Sequence, residues 1–209
     1  MHDPRLDSDN SAAFNEFYPH LHGIREEVEY SEIQGIRLYH NRNTIHFPSH
    51  WHSAIEILYP LEETYTVKIG TEENVLAPGD ILVVAPGTIH SYTPPESGER
   101  IFILFDYNLL KMFRGLRQMM QAIQPYLLIT QTAYPPLNEK LQELLRDVIR
   151  EYDEDVPYCG AMIWSRLLEF FAYIGRTDVY RVSHSREFPK DKRQEYVTKF
   201  MEVCNYITD

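Results

Sequence analysis

A series of short apolar runs, each bounded by turn residues, constrains the fold of this 209-residue chain more than any other feature. The runs are rich in β-branched and aromatic residues, and Gly, Pro and Asp punctuate the chain between them, a pattern typical of strands joined by turns. They occupy residues 36–40, 51–59, 64–69, 74–76, 81–84 and 100–105. Repeated strands at this spacing predict a sandwich or barrel over residues 31–107.

The run at residues 51–59 is apolar on both faces of the strand that it predicts. Side chains alternate along a strand, so Ala54 and Leu58 share one face while Ile55 and Ile57 share the other. A small barrel ordinarily exposes its outer face to water, and two isoleucines there require a cover. We expect that cover to come either from helices of the same chain or from a partner subunit.

The spacing of apolar residues changes to a helical period after Asp106. It predicts a helix over residues 108–123 that stops at Gln124 and Pro125, an amphipathic helix over 138–152, and an almost wholly apolar, buried helix over 158–175. A last helix is predicted at 192–207 and a short one at 12–18. The predicted organisation is an N-terminal arm (1–30), the barrel (31–107), a helical cover subdomain (108–188), and a linker with the last helix (189–209).

Charge and cysteine content exclude several functions. The formal net charge is −11, from 31 acidic and 20 basic residues, so the surface repels phosphate backbones and anionic membranes. Cys159 and Cys204 form no CxxC pair and indicate buried thiols rather than a disulfide framework. The N-terminus has no apolar signal region and no stretch approaches the ~18 apolar residues of a membrane span, which predicts a cytoplasmic protein.

A cluster of metal-ligand types stands inside the predicted strands. His50, His52 and Glu56 share one parity, and we expect them to lie on one strand face, while the strand at 81–84, framed by two turns, returns His90 beside them. Three imidazoles and one carboxylate suit a divalent ion such as Zn, Ni, Fe or Mn. The alternative is a metal-free polar cluster that lines a small-molecule pocket.

Tyr92 shares the parity of His90, so it is predicted either to line the same cavity, where its ring suits a sugar or small aromatic, or to be a core tyrosine. His40 and His46 lack partner spacing and are expected in surface or loop positions. GxSxG, P-loop, GxGxxG and HExxH patterns are absent from the sequence, and it shows no nucleophile beside a base.

The motif HxHxxxE at 50–56, followed by GDxxxxAPGxxH at 79–90, closely resembles the two cupin motifs, although Glu63 and Pro94 depart from the family pattern. With the flanking "FPSHWHSAIEILYPL" and the helical hairpin, the chain resembles the N-terminal effector-binding and dimerisation domain of AraC-type transcription regulators. The resemblance implies a mainly β plus α fold, a cupin-type jelly-roll barrel followed by a C-terminal helical subdomain.

The same resemblance implies a small-molecule sensor, the effector a sugar or other small metabolite bound near His50, His52, Glu56, His90 and Tyr92. It implies a homodimer through the helical subdomain, chiefly the helix at 138–152. It also implies that DNA is bound by helix-turn-helix units beyond Asp209, the chain being truncated at the domain junction. A sensor needs no catalysis. The alternative is a metal-dependent cupin enzyme of dioxygenase or isomerase type, whose ligand motif is intact.

Overall fold

The structure, a computed structural model, describes residues 20–30, 33, 35–106, 108–113, 115–116, 123–177, 195, 197, 199–200 and 203. The strands are β1 (His20–His22), β2 (Arg25–Glu27), β3 (Ile36–Asn41), β4 (Phe47–His50), β5 (Ile55–Pro60), β6 (Tyr65–Ile69), β7 (Glu72–Leu76), β8 (Ile81–Val84), β9 (His90–Thr93), β10 (Arg100–Phe105) and β11 (Tyr126–Ile129). The helices are α1 (Asn108–Lys111), α2 (Pro135–Glu154) and α3 (Cys159–Gly175).

The long strands form two antiparallel sheets that pack face to face. One sheet has the order β11-β8-β5-β10-β3 and the other the order β4-β9-β6-β7, while β1 and β2 form a separate hairpin. The interior between the sheets is filled by aliphatic and aromatic side chains that include Leu58, Tyr65, Val67, Leu82 and Phe102. The predicted fold class is therefore confirmed: the chain forms a cupin-like β-sandwich followed by two long helices.

The helices cover the outer face of the five-stranded sheet. Ile55 and Ile57 belong to one buried cluster with Leu145 of α2 and Phe171 of α3, and all four side chains are fully buried. Helices of the same chain therefore cover the two isoleucines, which was the first of the two expected alternatives. The apolar stripe of α2, which contains Leu141, is consequently used inside the chain.

The predicted helices at 138–152 and 158–175 are confirmed as α2 and α3, with α2 beginning earlier because Pro135 is well suited to a first helical turn. The predicted continuous helix at 108–123 is wrong. Its first segment, α1, ends at Lys111, residues 112 and 113 are not helical, and residues 115 and 116 are helical again. Strand β11 pairs with β8 at the edge of the five-stranded sheet, and the sequence prediction missed it.

The two remaining helix predictions concern residues at the ends of the chain. The short helix at 12–18 lies outside the described residues. Within the predicted helix at 192–207, the described positions 195, 197, 199, 200 and 203 are helical. Among the described residues, the structure contains no helix with the length and apolarity needed to cross a membrane.

His40 ties the sandwich to α2. Its Nδ1 lies 2.8 Å from Glu99 Oε1, and its Nε2 lies 3.0 Å from Asp153 Oδ1 near the end of α2. Burial alone would lower the pKa of this imidazole, but the hydrogen bonds and charges of the two carboxylates raise it above its ordinary value. The residue expected in a surface or loop position therefore lies on β3 and bridges two layers of the fold.

His40 should make stability depend on pH. Because its folded pKa is raised, its contribution is complete below the unfolded pKa of ~6.5 and is lost as pH rises through the folded value. We expect His40→Gln to lower the free energy of unfolding at pH 5, by at most about 1 kcal/mol for a partly exposed pair, and the difference from wild type to shrink by pH 9. Urea titrations across this range measure it, with His46→Gln as the control, and a difference that grows with pH would contradict it.

Candidate metal centre

Four elements bring the predicted site residues together. His50 ends β4 and lies opposite His90 of β9 in the four-stranded sheet. Glu56 belongs to β5 in the other sheet, and His52 lies in the connection between β4 and β5. Tyr92, two residues after His90 on β9, completes the group. All five side chains are buried, with exposed fractions of 1% or less.

The expected arrangement on a single strand face is wrong, although the residues do converge. The predicted strand at 51–59 is broken, because residues 51–54 cross from one sheet to the other before β5 begins at Ile55. His90 is also carried by its own strand, β9, and not by β8. The HxHxxxE spacing therefore corresponds to a corner, residues 51–54, where the chain passes from one sheet to the other. This corner lets side chains from both sheets converge on one point.

Each imidazole is oriented by a backbone carbonyl two residues away. Nδ1 of His50 lies 3.0 Å from Pro48 O, Nδ1 of His52 lies 3.1 Å from Ala54 O, and Nδ1 of His90 lies 2.8 Å from Thr88 O. A carbonyl can only accept, so each Nδ1 carries the donating proton and each Nε2 points inward, where it offers a lone pair to a metal ion whenever it carries no proton. One ring nitrogen from each residue lies within 4.8 Å of the others, a separation that a single metal ion can span.

Glu56 is held between the histidines and Tyr92. Its Oε2 lies 3.0 Å from Nε2 of His52 and 3.7 Å from Nε2 of His90, while the Tyr92 hydroxyl donates to Oε1. The Tyr92 ring packs against Tyr65 and Phe102, at centroid distances of 5.8 and 5.2 Å. These contacts favour the core-tyrosine alternative: Tyr92 positions the carboxylate and does not offer an open face to a sugar.

Burial and charge set the protonation of the centre. Burial, reinforced by the neighbouring His90, lowers the pKa of His50 to about 4, so this imidazole is neutral at physiological pH. For Glu56, burial acts in the opposite sense, but its hydrogen bond with His52 and the nearby imidazole of His90 keep its pKa below the ordinary value. Burial alone would lower the pKa of His52, whereas the hydrogen bond and charge of Glu56 raise it. A proton therefore holds the His52–Glu56 pair, and a bound cation would replace it.

Glu26 is a residue of the site that sequence reasoning missed. Its carboxylate oxygen Oε2 lies 3.2 Å from Nε2 of His50, and its side chain is 3% exposed. It comes from β2, which pairs with the segment after β4 through an isolated bridge between Arg25 and Trp51. The acidic residues around Glu26 are typical of a solvent-exposed arm. Only the backbone pairing of β2 with Trp51 shows that the Glu26 carboxylate points into the protein, toward His50.

Donor chemistry and geometry both fit a divalent metal. Nε2 of His50, Nε2 of His90 and Oε2 of Glu26 are buried and lack a hydrogen-bond partner among the described residues. Acceptors buried without a partner are costly, and a cation at their common centre removes that cost. His50, His52 and His90 could hold such an ion, with Glu56 beside two of them, and the ion would polarise an oxygen ligand bound to it.

Comparisons with known proteins place the chain in a class. The family model of the AraC-like ligand binding domain matches residues 34–171, which covers both sheets, α2 and most of α3. The chain therefore belongs to the AraC-like ligand binding domain family. A search of the curated proteins found no match.

Solved structures match about a third of the chain. An RmlC-like cupin from Shewanella frigidimarina is 20% identical with a TM-score of 0.32, covering 34% of this chain and 67% of that one. A protein from Neisseria meningitidis is 15% identical with a TM-score of 0.32, covering 34% and 76%. An oxalate decarboxylase from Bacillus subtilis is 21% identical with a TM-score of 0.31, but the match covers 21% of its length.

Removing the hydroxyl of Tyr92 should destabilise the protein through Glu56. In Tyr92→Phe the buried carboxylate loses a donor, and we expect the free energy of unfolding to fall by about 1.5–3 kcal/mol, the range for hydrogen bonds to charged groups. Urea denaturation measures the change. Tyr158→Phe is the control because Tyr158 is 86% exposed. Equal losses in the two variants would contradict the role given to Tyr92.

Proposed function

We propose that this chain is the sensing domain of an AraC-type transcription regulator, in which a divalent metal ion at His50, His52, Glu56 and His90 forms the floor of a small-molecule site. A separate helix-turn-helix part would bind DNA, and the protein would act in the cytoplasm. The observation that carries the metal site is the inward orientation of three imidazole lone pairs, each fixed by a backbone carbonyl.

The packing of the sandwich limits the effector. Side chains fill the interior beside the centre, and Glu26 of the N-terminal hairpin lies against His50. A molecule that reaches the centre must therefore be small, or it must displace the hairpin. An effector can shift the protein between two states only if it binds one of them better. The docked and released hairpin are the two states that we propose.

A ring contact connects the centre to the C-terminal helical residues. Trp51 lies between His50 and His52 in the chain, and its ring contacts Phe200 with a centroid distance of 5.7 Å. A movement of the His50–His52 segment therefore reaches Phe200 through one contact. This supports the sensor, because a regulator has to pass occupancy on toward its DNA-binding part.

The net charge of −11 also supports a sensing domain that does not bind DNA itself. An acidic surface repels DNA, so the proposed regulator must bind its operator through a separate part.

The metal-dependent enzyme remains the second candidate, since the same metal centre would serve it. A turnover screen of protein loaded with Fe or Mn separates the two. Stoichiometric metal together with catalytic turnover would overturn the sensor proposal.

The proposed metal site predicts binding of one divalent ion per chain. At free Zn, Ni, Fe or Mn about 100-fold above the dissociation constant, the stabilisation of about 2.7 kcal/mol should raise the melting temperature by roughly 5–10 °C. His52→Ala should lose both the bound metal and the rise. Elemental analysis after dialysis and thermal denaturation measure them. His46→Ala is the control, and loss of metal in both variants or in neither would contradict the assignment.

Dimerisation through the helical subdomain needs a different surface from the one that the sequence indicates. The apolar stripe of α2 is buried within the chain. Exposed apolar side chains instead line a cavity of about 850 Å³ beside the α2–α3 connection: Met112, Phe113, Val156 and Tyr158. Met162 is also exposed and lies one helical turn after Tyr158, to whose carbonyl its backbone N–H donates. We propose that a second copy covers this patch, since apolar surface of this kind favours association.

Charge placed in the patch should weaken the proposed dimer. Met162 is 40% exposed on α3, and Met162→Glu would bury a carboxylate in the interface, which is costly. Sedimentation at tens of micromolar should show a dimer for wild type and a monomer for this variant. Val75→Glu is the matched control on β7, where Val75 is 63% exposed. A dimeric Met162→Glu variant, or a monomeric wild type, would contradict the proposal.

A further inference from the structure

The N-terminal hairpin brings to the three-histidine centre a carboxylate that the motif does not contain. The backbone fixes its position. Glu26 N–H donates to Trp51 O at 2.9 Å, and Trp51 N–H donates to Ile24 O at 2.9 Å. Because Trp51 lies between His50 and His52 in sequence, the hairpin is attached to the segment that carries two of the three imidazoles.

The contact between Glu26 and His50 joins two acceptors. Nδ1 of His50 donates to Pro48 O, so its Nε2 presents a lone pair. Oε2 of Glu26 lies 3.2 Å from that nitrogen, and both atoms are buried without a hydrogen-bond partner among the described residues. Two lone pairs at this distance repel each other unless a positive charge lies between them.

Glu56 has the corresponding position beside the other two histidines. Its Oε2 lies within 4 Å of Nε2 of both His52 and His90. Every inward imidazole nitrogen therefore has a carboxylate oxygen as a neighbour. Carboxylates at both positions carry two negative charges, which match a divalent cation, and three nitrogens with two oxygens form a donor set that Zn, Fe or Mn accepts.

We propose that Glu26 is a direct ligand of the metal held by His50, His52 and His90, so that metal binding fastens the N-terminal hairpin over the centre. The inference rests on the proposed metal site and adds a ligand from outside the motif. Metal binding then supplies folding free energy to β1 and β2, which belong to neither large sheet. The hairpin becomes the element whose docking reports the state of the centre.

The test compares Glu26→Gln with Glu27→Gln in the full chain. Glu27 is the next residue on the same strand, and its side chain is 65% exposed. Competition titrations with Zn²⁺ and Mn²⁺ give the affinities. Loss of a direct ligand should weaken binding by at least the roughly 10- to 100-fold that the loss of an outer partner causes, and Glu27→Gln should match wild type.

Two further readouts distinguish a ligand from a structural residue. The visible absorption of bound Co²⁺ depends on the number and type of its ligands, so its spectrum should change in Glu26→Gln and not in Glu27→Gln. Acetate should restore part of the metal affinity of Glu26→Ala, because a free carboxylate can occupy the vacated position. An unchanged Co²⁺ spectrum in Glu26→Gln would overturn the proposal.

The melting temperatures of the metal-free proteins show whether a loss of metal affinity comes from misfolding of the variant. Glutamine adds an N–H donor beside the His50 lone pair, so metal-free Glu26→Gln should melt at or above the wild-type temperature while its metal-induced rise becomes small. Hydrogen exchange at the amides of Glu26 and Trp51 should slow with metal in wild type and not in the variant. Metal-free Glu26→Gln that melts lower yet keeps wild-type metal affinity would overturn the proposal.

The outcomes separate the two levels of inference. Wild type that binds no divalent metal overturns the proposed metal site and this inference together. Wild type that binds metal, with binding lost in His52→Ala but equal in Glu26→Gln and Glu27→Gln, overturns this inference alone and leaves the three-histidine site in place.

Discussion

The burial of the five-stranded sheet on both faces is the constraint on which the rest of the structure depends. Its inner face closes the sandwich through residues such as Leu58 and Phe102, and its outer face packs on α2 and α3 through Ile55 and Ile57. A strand buried on both sides reads as a continuous apolar run, as β5 does. Glu56, the second residue of β5, is then forced into the interior, where only a compensating partner makes its burial tolerable.

That partner is the set of three imidazoles with Tyr92. Their arrangement depends on the corner between β4 and β5, since residues 51–54 carry His52 out of the strand and let its Nδ1 reach Ala54 O. Backbone carbonyls use up the donating nitrogens of all three histidines. The interior is therefore left with acceptors that face one another, and such a centre is complete only when protons or a cation fill it.

Much of this could be predicted from the sequence because local patterns determine it. The runs at 81–84 and 100–105 became β8 and β10 with the predicted ends, and the apolar stripe of α2 identified a helix. The sequence identified the four motif residues, His50, His52, Glu56 and His90, because donor residue types at such fixed spacing are rare by chance. The predicted face was wrong, however, since parity assumes an unbroken strand and nothing local marks the corner after His50.

The missed features depend on pairings between distant residues. Strand β11 is a short apolar run that is recognisable as a strand only from its pairing with β8. Its four residues show no alternation of apolar and polar side chains that would distinguish them from the end of a helix. Glu26 looks like its neighbour Glu27, yet one is buried and the other is exposed. The difference comes from the bridge to Trp51, which no pattern within the hairpin encodes.

Trp51 has a special position because it touches both parts that a sensor must connect. On one side its backbone pairs with the hairpin and its ring lies 5.9 Å from the guanidinium carbon of Arg25. On the other side its ring contacts Phe200. Contact alone transmits nothing unless one end has two arrangements. The hairpin can supply them, since its strands belong to neither large sheet, and a carboxylate that gains a partner only in the loaded centre would bias it toward the docked arrangement.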